Sequence, residues 1–295
     1  SMTPEEYRRM VEEVRAAEQA VGIPYYGIGQ KEESSVVFRR SIFCVKDILE
    51  GESLTEENIR VIRPGYGLKP KYYEEILGMK ADRFLERGTP LCFDALEKGA
   101  ILFLTNNRNT EDLYQWLKDR EVAVCRIGNK LTVEMVKQLE PSFVISFNYR
   151  HMISRQVLEL LPGRIINLHT SLLPFNRGSS PNFFSFLGDT PKGVTIHLMD
   201  EGLDTGDILC QRNVVFDENR ETFASSYDRL LEEIKHLFME NWDGIRDGKI
   251  TPRKQEGAGT YHRMKELEKI REQYPFQWTD RIADFKARLG QEDKG

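Results

Sequence analysis

Cysteine is scarce in this sequence. Cys44, Cys92, Cys125 and Cys210 lie far apart, without C-x-x-C spacing and without clustered histidines beside them. That scatter counts against a zinc site or any other metal centre and against a disulfide framework, and it suits a reducing, cytoplasmic setting. Long apolar runs are also missing: Ala100 to Leu104 is typical of the longest, far short of the ~20 residues that span a bilayer. The opening Ser1-Met2-Thr3-Pro4 has no basic stretch followed by an apolar one, so it does not read as a secretory leader. Nor is there an excess of positive charge. The formal net charge is −5, which gives no general attraction for polyanions, so nucleic acid is not an expected partner, and neither is a membrane. No internal repeat or low-complexity tract is present.

With 295 residues the chain is long enough for two domains. From Thr3 to Val21 apolar residues recur at helical spacing (Tyr7, Met10, Val11, Val14, Ala17), with Thr3 and Pro4 as cap and first turn, predicting an amphipathic helix ending at Gly22. Val36 to Phe38 and Ser41 to Val45 read as short strands in a module punctuated by Gly51, Pro64, Gly65, Gly67 and Pro70. From Gly99 onward β-like runs (101–105, 122–127, 143–147, 165–169) alternate with helical ones (112–118, 133–139, 156–161). That rhythm predicts an α/β domain with a mostly parallel, Rossmann-like sheet, whose ligands collect at the carboxyl ends of the strands. Further strands at 194–199 and 208–215 precede a long helix from Glu221 to about Gly244. The charged tail from Gly257 is partly helical and is expected to wrap the domain or the neighbouring module. The expected division is an N-terminal helix and linker at 1–32, a small β module at 33–97, the α/β domain at 98–255 and a C-terminal extension at 256–295.

The segment richest in chemistry is 165–174, where a strand delivers Asn167 and His169 at i and i+2, hence on one face. A turn through Asn176, Arg177 and Gly178 follows. After another strand comes an acidic loop, Asp200-Glu201-Gly202-Leu203-Asp204-Thr205-Gly206-Asp207, expected to be sharp and exposed. Asn-x-His alone is a weak signal that reads first as a hydrogen-bonded strand-end histidine, and an Asx-turn is the other reading of Asp204. His197, inside a strand, reads as a satisfied core histidine, and His236 and His262 as surface residues.

Taken together, N-x-H-x-S-L-L-P, the R-G turn, H-x-M-D and L-D-T-G-D, across about Ala100 to Asp217, resemble the formyltransferases that use 10-formyltetrahydrofolate. These include glycinamide ribonucleotide transformylase, methionyl-tRNA formyltransferase and the sugar N-formyltransferases. The resemblance puts Asn167, His169 and Asp204 at catalytic positions. Those residue types suit an amine attacking a formyl carbonyl: an amide N–H for the oxyanion, an imidazole to exchange protons near neutrality, and a carboxylate to orient and charge it. It also implies that Tyr149, Arg150, His151 and Met152 contact the folate, opposite Met199, Asp200, Glu201 and Gly202. Plain core packing is the other reading of Tyr149, Met152 and Met199, and His151 has no clear catalytic task.

The first third has its own resemblance. Arg39-Arg40-Ser41-Ile42, Lys46-Asp47-Ile48, Gly51-Glu52, Leu54-Thr55, Asn58-Ile59 and Arg63-Pro64-Gly65-Tyr66-Gly67-Leu68 are similar to the antifreeze-like SAF domain that ends sialic acid synthases, preceded by a helix like the last one of their barrel. In those synthases the domain covers a partner subunit's sugar site and contributes an arginine. Arg63 matches it, or is simply a solvated turn residue. The fusion implies an amino sugar as the amine acceptor, bound by Arg63, Arg177, Phe183 and Phe184, and a homodimer through the SAF-like module; the two phenylalanines could stack on a base or merely pack. A 10-formyltetrahydrofolate hydrolase and a non-catalytic sugar-binding or assembly protein are the alternatives. Methionyl-tRNA is disfavoured as acceptor by the acidic charge and by the lack of a recognisable basic barrel after Val215.

Overall fold

The computed structural model describes residues 2–21 and 37–292. Helix α1 (Pro4–Val21) begins with a reciprocal cap: the Glu6 N–H donates to Thr3 Oγ1 at 3.3 Å and the Thr3 N–H donates to Glu6 Oε2 at 2.7 Å. Gly22 and Val36 lie outside the described residues. Val37 and Phe38 belong to a helical turn, not to the expected strand, and the Phe38 side chain faces solvent.

The first module pairs β1 (Ser41–Cys44) with β2 (Ile59–Ile62), antiparallel, and otherwise builds its frame from single bridges and turns. The short helix α2 (Tyr73–Ile76) follows. Such a module has too little regular structure to hold itself by ladders alone. Its buried side chains, including Ile42, Ile48, Leu54, Ile59 and Leu91, merge into one apolar cluster with Leu102, Leu104, Ile127 and Val144 of the α/β domain.

The α/β domain comprises β3 (Ile101–Leu104), α3 (Glu111–Arg120), β4 (Val124–Ile127), α4 (Val133–Leu139), β5 (Phe143–Phe147), α5 (Arg155–Leu160), β6 (Ile165–His169), β7 (Arg177–Gly178), α6 (Pro181–Leu187), β8 (Gly193–Leu198), β9 (Ile208–Asn213) and α7 (Phe223–Arg246). Its sheet runs β4-β3-β5-β6-β8-β9, parallel over the first four strands and antiparallel at β8 and β9. Strands β3 and β5 are buried on both faces, as the unbroken apolar runs require. The same runs do not encode direction, which is why the reversal at β8 is visible only in the fold. The second face of the sheet packs on α7 and α3 through Phe103, Phe147, Leu230, Ile234 and Trp242.

The tail forms β10 (Tyr261–His262), α8 (Met264–Gln273) and α9 (Ile282–Glu292). It folds back on the α/β domain: Phe276, Ile282 and Phe285 close an aromatic cluster with Phe183, Phe186 and Phe223. Each fully buried ring contributes on the order of 1.5–3 kcal/mol, so this docking is substantial. Residues Arg177 and Gly178, expected as a turn, instead form β7 because β10 lies parallel beside them. A two-residue strand has no signature of its own; its partner is more than 80 residues away.

Candidate active site

The expected trio converges. Asn167 and His169 leave β6 on the same face, and β8 places His197 directly opposite Asn167. Asp204 comes from the loop after β8, in the left-handed region at φ +54°. Its Oδ1 accepts from Asn167 Nδ2 at 3.2 Å and lies 3.5 Å from His197 Nε2. Its Oδ2 accepts from the Gly178 N–H at 2.9 Å and lies 3.7 Å from His169 Nδ1. The loop can take this course because residue 206 is glycine: a Cβ there would fall 1.8 Å from the Leu198 carbonyl oxygen. Gly178 is equally constrained, at φ +90° with the His262 carbonyl 2.4 Å from where a Cβ would be. The loop was expected to be exposed, yet the Asp204 side chain is only 10% exposed, because its carboxylate turns inward to these donors.

The proton positions follow from the partners. His169 Nε2 faces the Asn176 carbonyl at 3.2 Å, an acceptor only, so Nε2 carries the hydrogen and Nδ1 presents its lone pair in the neutral ring. Likewise His197 Nδ1 donates to the Leu198 carbonyl at 2.7 Å, which leaves Nε2 to accept from Asn167 Nδ2 at 3.3 Å. Burial lowers the His169 pKa below its ordinary value of 6.5, with Asp204 pulling the other way. For Asp204, burial acts to raise the pKa, but His169, His197 and the Gly178 N–H outweigh it, and the carboxyl sits below its usual range. A neutral base beside a fixed carboxylate, open to a cavity, can take a proton and hold the resulting charge.

That cavity, about 730 Å³, is lined at its floor by Asn167, His169 and Asp204. Its lining also includes Asn148, Tyr149 and Leu203, then Ala224, Tyr227 and Asp228 of α7, with Met264 and Trp278 of the tail. Of the residues expected at the folate, Tyr149 lines the cavity. Arg150 is exposed, with His151 beside it, and the Met152 side chain is largely in solvent. Met199 packs against the apolar cluster shared by the two modules. Asp200 accepts from the Gly202 N–H and the Thr205 hydroxyl, and exposed Glu201 pairs with Arg155. Of those expected at the acceptor, Phe183 borders the cavity but is fully buried and stacked on Phe276, with centroids 4.9 Å apart. Phe184 lies flat on His262 at 3.9 Å, which places His262 under a ring and not on the open surface. Arg63 is exposed on the first module and does not line this cavity.

Arg177 points elsewhere, to a residue that sequence reasoning passed over. Its guanidinium donates twice to Gln255 Oε1, at 3.0 and 2.6 Å, while Gln255 Nε2 donates to the carbonyls of Asp204 and Gly206, both at 2.8 Å. Thr260 is a second such residue: its hydroxyl accepts from the Asn176 N–H at 2.7 Å and thereby steadies the carbonyl that orients His169. Nothing in the tail's local sequence signals either contact. His197 was the discoverable one, since it shares the H-x-M-D motif with the acidic loop.

Comparison with known proteins follows these two modules. A match to the formyl transferase family covers residues 104–241, and a match to the SAF domain covers residues 39–97. Methionyl-tRNA formyltransferase of Pelobacter propionicus is 37% identical over 131 residues, covering 44% of this chain and 41% of that protein. Pseudaminic acid synthase of Helicobacter pylori is 45% identical over 93 residues, covering 31% of this chain and 27% of that protein. The chain thus spans less than half the length of these curated relatives. Among solved structures, the formyltransferase PseJ from Anoxybacillus kamchatkensis, in complex with UDP-4,6-dideoxy-4-formamido-L-AltNAc and tetrahydrofolate, is 41% identical with a TM-score of 0.59. That alignment covers 63% of this chain and 97% of PseJ. The chain therefore belongs to the formyl transferase family, and it carries a SAF domain ahead of the family's own domain.

Proposed function

We propose that this protein transfers the formyl group of 10-formyltetrahydrofolate to the amine of an amino sugar. The observation that carries the reading is the meeting of Asn167, His169 and Asp204 in the lining of one cavity of ligand-binding size. The acceptor's nitrogen attacks the formyl carbon, and one Asn167 N–H turns from its resting partner to the developing oxyanion. His169 takes the amine's proton at Nδ1 and becomes an imidazolium held between the Asn176 carbonyl and the Asp204 carboxylate. As the bond from formyl carbon to the folate nitrogen breaks, the same proton passes to that nitrogen. The reaction needs no metal.

The folate is assigned to the wall of Tyr149, with backbone of Arg150 to Met152 and of Met199 to Gly202 around it. The acceptor is assigned to the lining contributed by α7 and the tail, beside Tyr227, Asp228, Met264 and Trp278. An amino sugar, linked to a nucleotide or a precursor of a sialic-acid-like sugar, is favoured over methionyl-tRNA by the likeness to PseJ over nearly all of its length and by the pairing with a synthase-type SAF domain. Incubation with 10-formyltetrahydrofolate and a panel of amino sugars and their nucleotide conjugates tests this by mass of the formylated product. Folate turnover with water alone, unchanged by any amine, replaces the transferase with a hydrolase. Arg63 joins the acceptor site only in a homodimer whose SAF module lies over the partner chain's cavity; light scattering at working concentration decides whether that dimer exists.

A further inference from the structure

At the junction of the two modules a carboxylate is buried against backbone. Glu75, in α2 of the SAF module, is 9% exposed. Its Oε1 accepts from the Gly128 N–H at 2.9 Å, the Asn129 N–H at 2.8 Å and the Asn129 side-chain amide at 2.9 Å, all in the formyl transferase domain. Its Oε2 is buried and has no hydrogen-bond partner among the described residues, which hold the group by one oxygen. Charged acceptors make the stronger hydrogen bonds, and a buried N–H left without one is costly, so this contact fixes the loop that follows β4.

The loop in turn fixes a cavity residue. The Tyr149 hydroxyl donates to the Asn129 carbonyl at 2.6 Å and accepts from the Leu131 N–H at 2.9 Å. The Gly128 carbonyl accepts from Asn106 Nδ2 at 2.7 Å, and Asn106 Oδ1 accepts from the Arg150 N–H at 3.0 Å. Both ends of the Tyr149-Arg150 step are therefore set by a loop that Glu75 grips from the other module.

We propose that Glu75 is a positioning residue for the donor wall: through residues 128–131 it places Tyr149, and the SAF module is a working part of the folate site and not an appended domain. This rests on the assignment of Tyr149 to the folate. Full-length Glu75→Ala, Glu75→Gln, Tyr149→Phe and the Glu75→Ala/Tyr149→Phe double variant are compared with the parent protein in two measurements. The first is hydrogen exchange at the amides of Gly128, Asn129 and Leu131, which needs no ligand. The second is the dissociation constant of 5-formyltetrahydrofolate, a stable folate. Glu75→Ala is expected to speed exchange in the loop and weaken folate about tenfold, and Glu75→Gln, which keeps an acceptor oxygen, to lose only about two- to threefold. The double variant is expected to bind no more than about twofold worse than the weaker single one, because both act through the same hydroxyl. Folate affinity unchanged in folded Glu75→Ala, or additive losses in the double variant, overturns the proposal. Should Glu75→Ala fail to fold, Glu75→Gln carries the test, with parental exchange and affinity in that variant counting against it. If the parent protein binds no folate, the proposed function falls, while the exchange at 128–131 still decides whether Glu75 holds the loop.

Discussion

The cavity floor and the module junction each bury one carboxylate, and they use it differently. Asp204 stands between two imidazoles and two N–H donors, facing space that a ligand can enter. Among the described residues Glu75 accepts from N–H groups of one loop, and it is not part of the cavity lining. Both carboxylates tie polypeptide together at similar distances. Only the first has a neighbour that can gain or lose a proton in the working range, so only the first can serve chemistry directly. A buried acid becomes catalytic through what titrates next to it and through access, not through burial itself.

The sharpest way to break that contrast is at the floor. His169→Ala is expected to lower the transfer rate by about 10²–10⁴ with folate binding retained, measured as kcat against the folate dissociation constant. An unchanged rate removes His169 from the mechanism. Asn167→Ala should cost about 10²–10³ in kcat, because the oxyanion loses a donor while donor and acceptor still bind.

The pH profile separates the two carboxylates further. Burial depresses the His169 pKa, so the neutral base persists on acidification and the acid limb of kcat/KM should lie below pH 6.5. Asp204 pulls that pKa upward; in Asp204→Asn the plateau should drop and the limb should move to still lower pH. A limb that moved up would mean that the titrating group is not His169. The two shifts also bear on stability, since the unfolded chain binds protons more readily at both sites. The His169 contribution is lost as pH falls below 6.5, and the Asp204 contribution is lost as pH falls from 3.8 through its lowered folded value. No such limb is expected to respond to Glu75→Ala.

Smaller effects test the supports. Gln255→Ala, which frees the carbonyls of Asp204 and Gly206, should reduce kcat by about tenfold and leave folate affinity alone, as a residue acting through Asp204 would. Glu75→Ala should lower unfolding stability by about 1–3 kcal/mol, read from denaturant midpoints, because three donors lose their acceptor. Arg63→Ala should change monomer activity by less than about twofold, since an exposed surface cation outside the set of lining residues has little to offer. A large loss there, together with a dimer, would bring the SAF module to the acceptor.

Much of the frame is legible in the chain. Alternation and apolar runs specify the strands at 101–104, 143–147 and 165–169 nearly to the residue, because side-chain periodicity is a local property. The i, i+2 spacing of Asn167 and His169 places them on one face for the same reason, and the glycine of L-D-T-G-D is demanded by a close approach to Leu198. What the fold alone decides is every contact between distant segments. The reversal of β8 brings His197 to Asn167; the pairing of β10 makes a strand of Arg177 and Gly178 and gives Asp204 a donor; Gln255 and Thr260 steady the trio from the far end of the chain. Strand direction, and hydrogen bonds between residues tens of positions apart, leave no periodic trace in either partner. They exist only because burial leaves each polar group one place to be satisfied, and that place is set by tertiary packing.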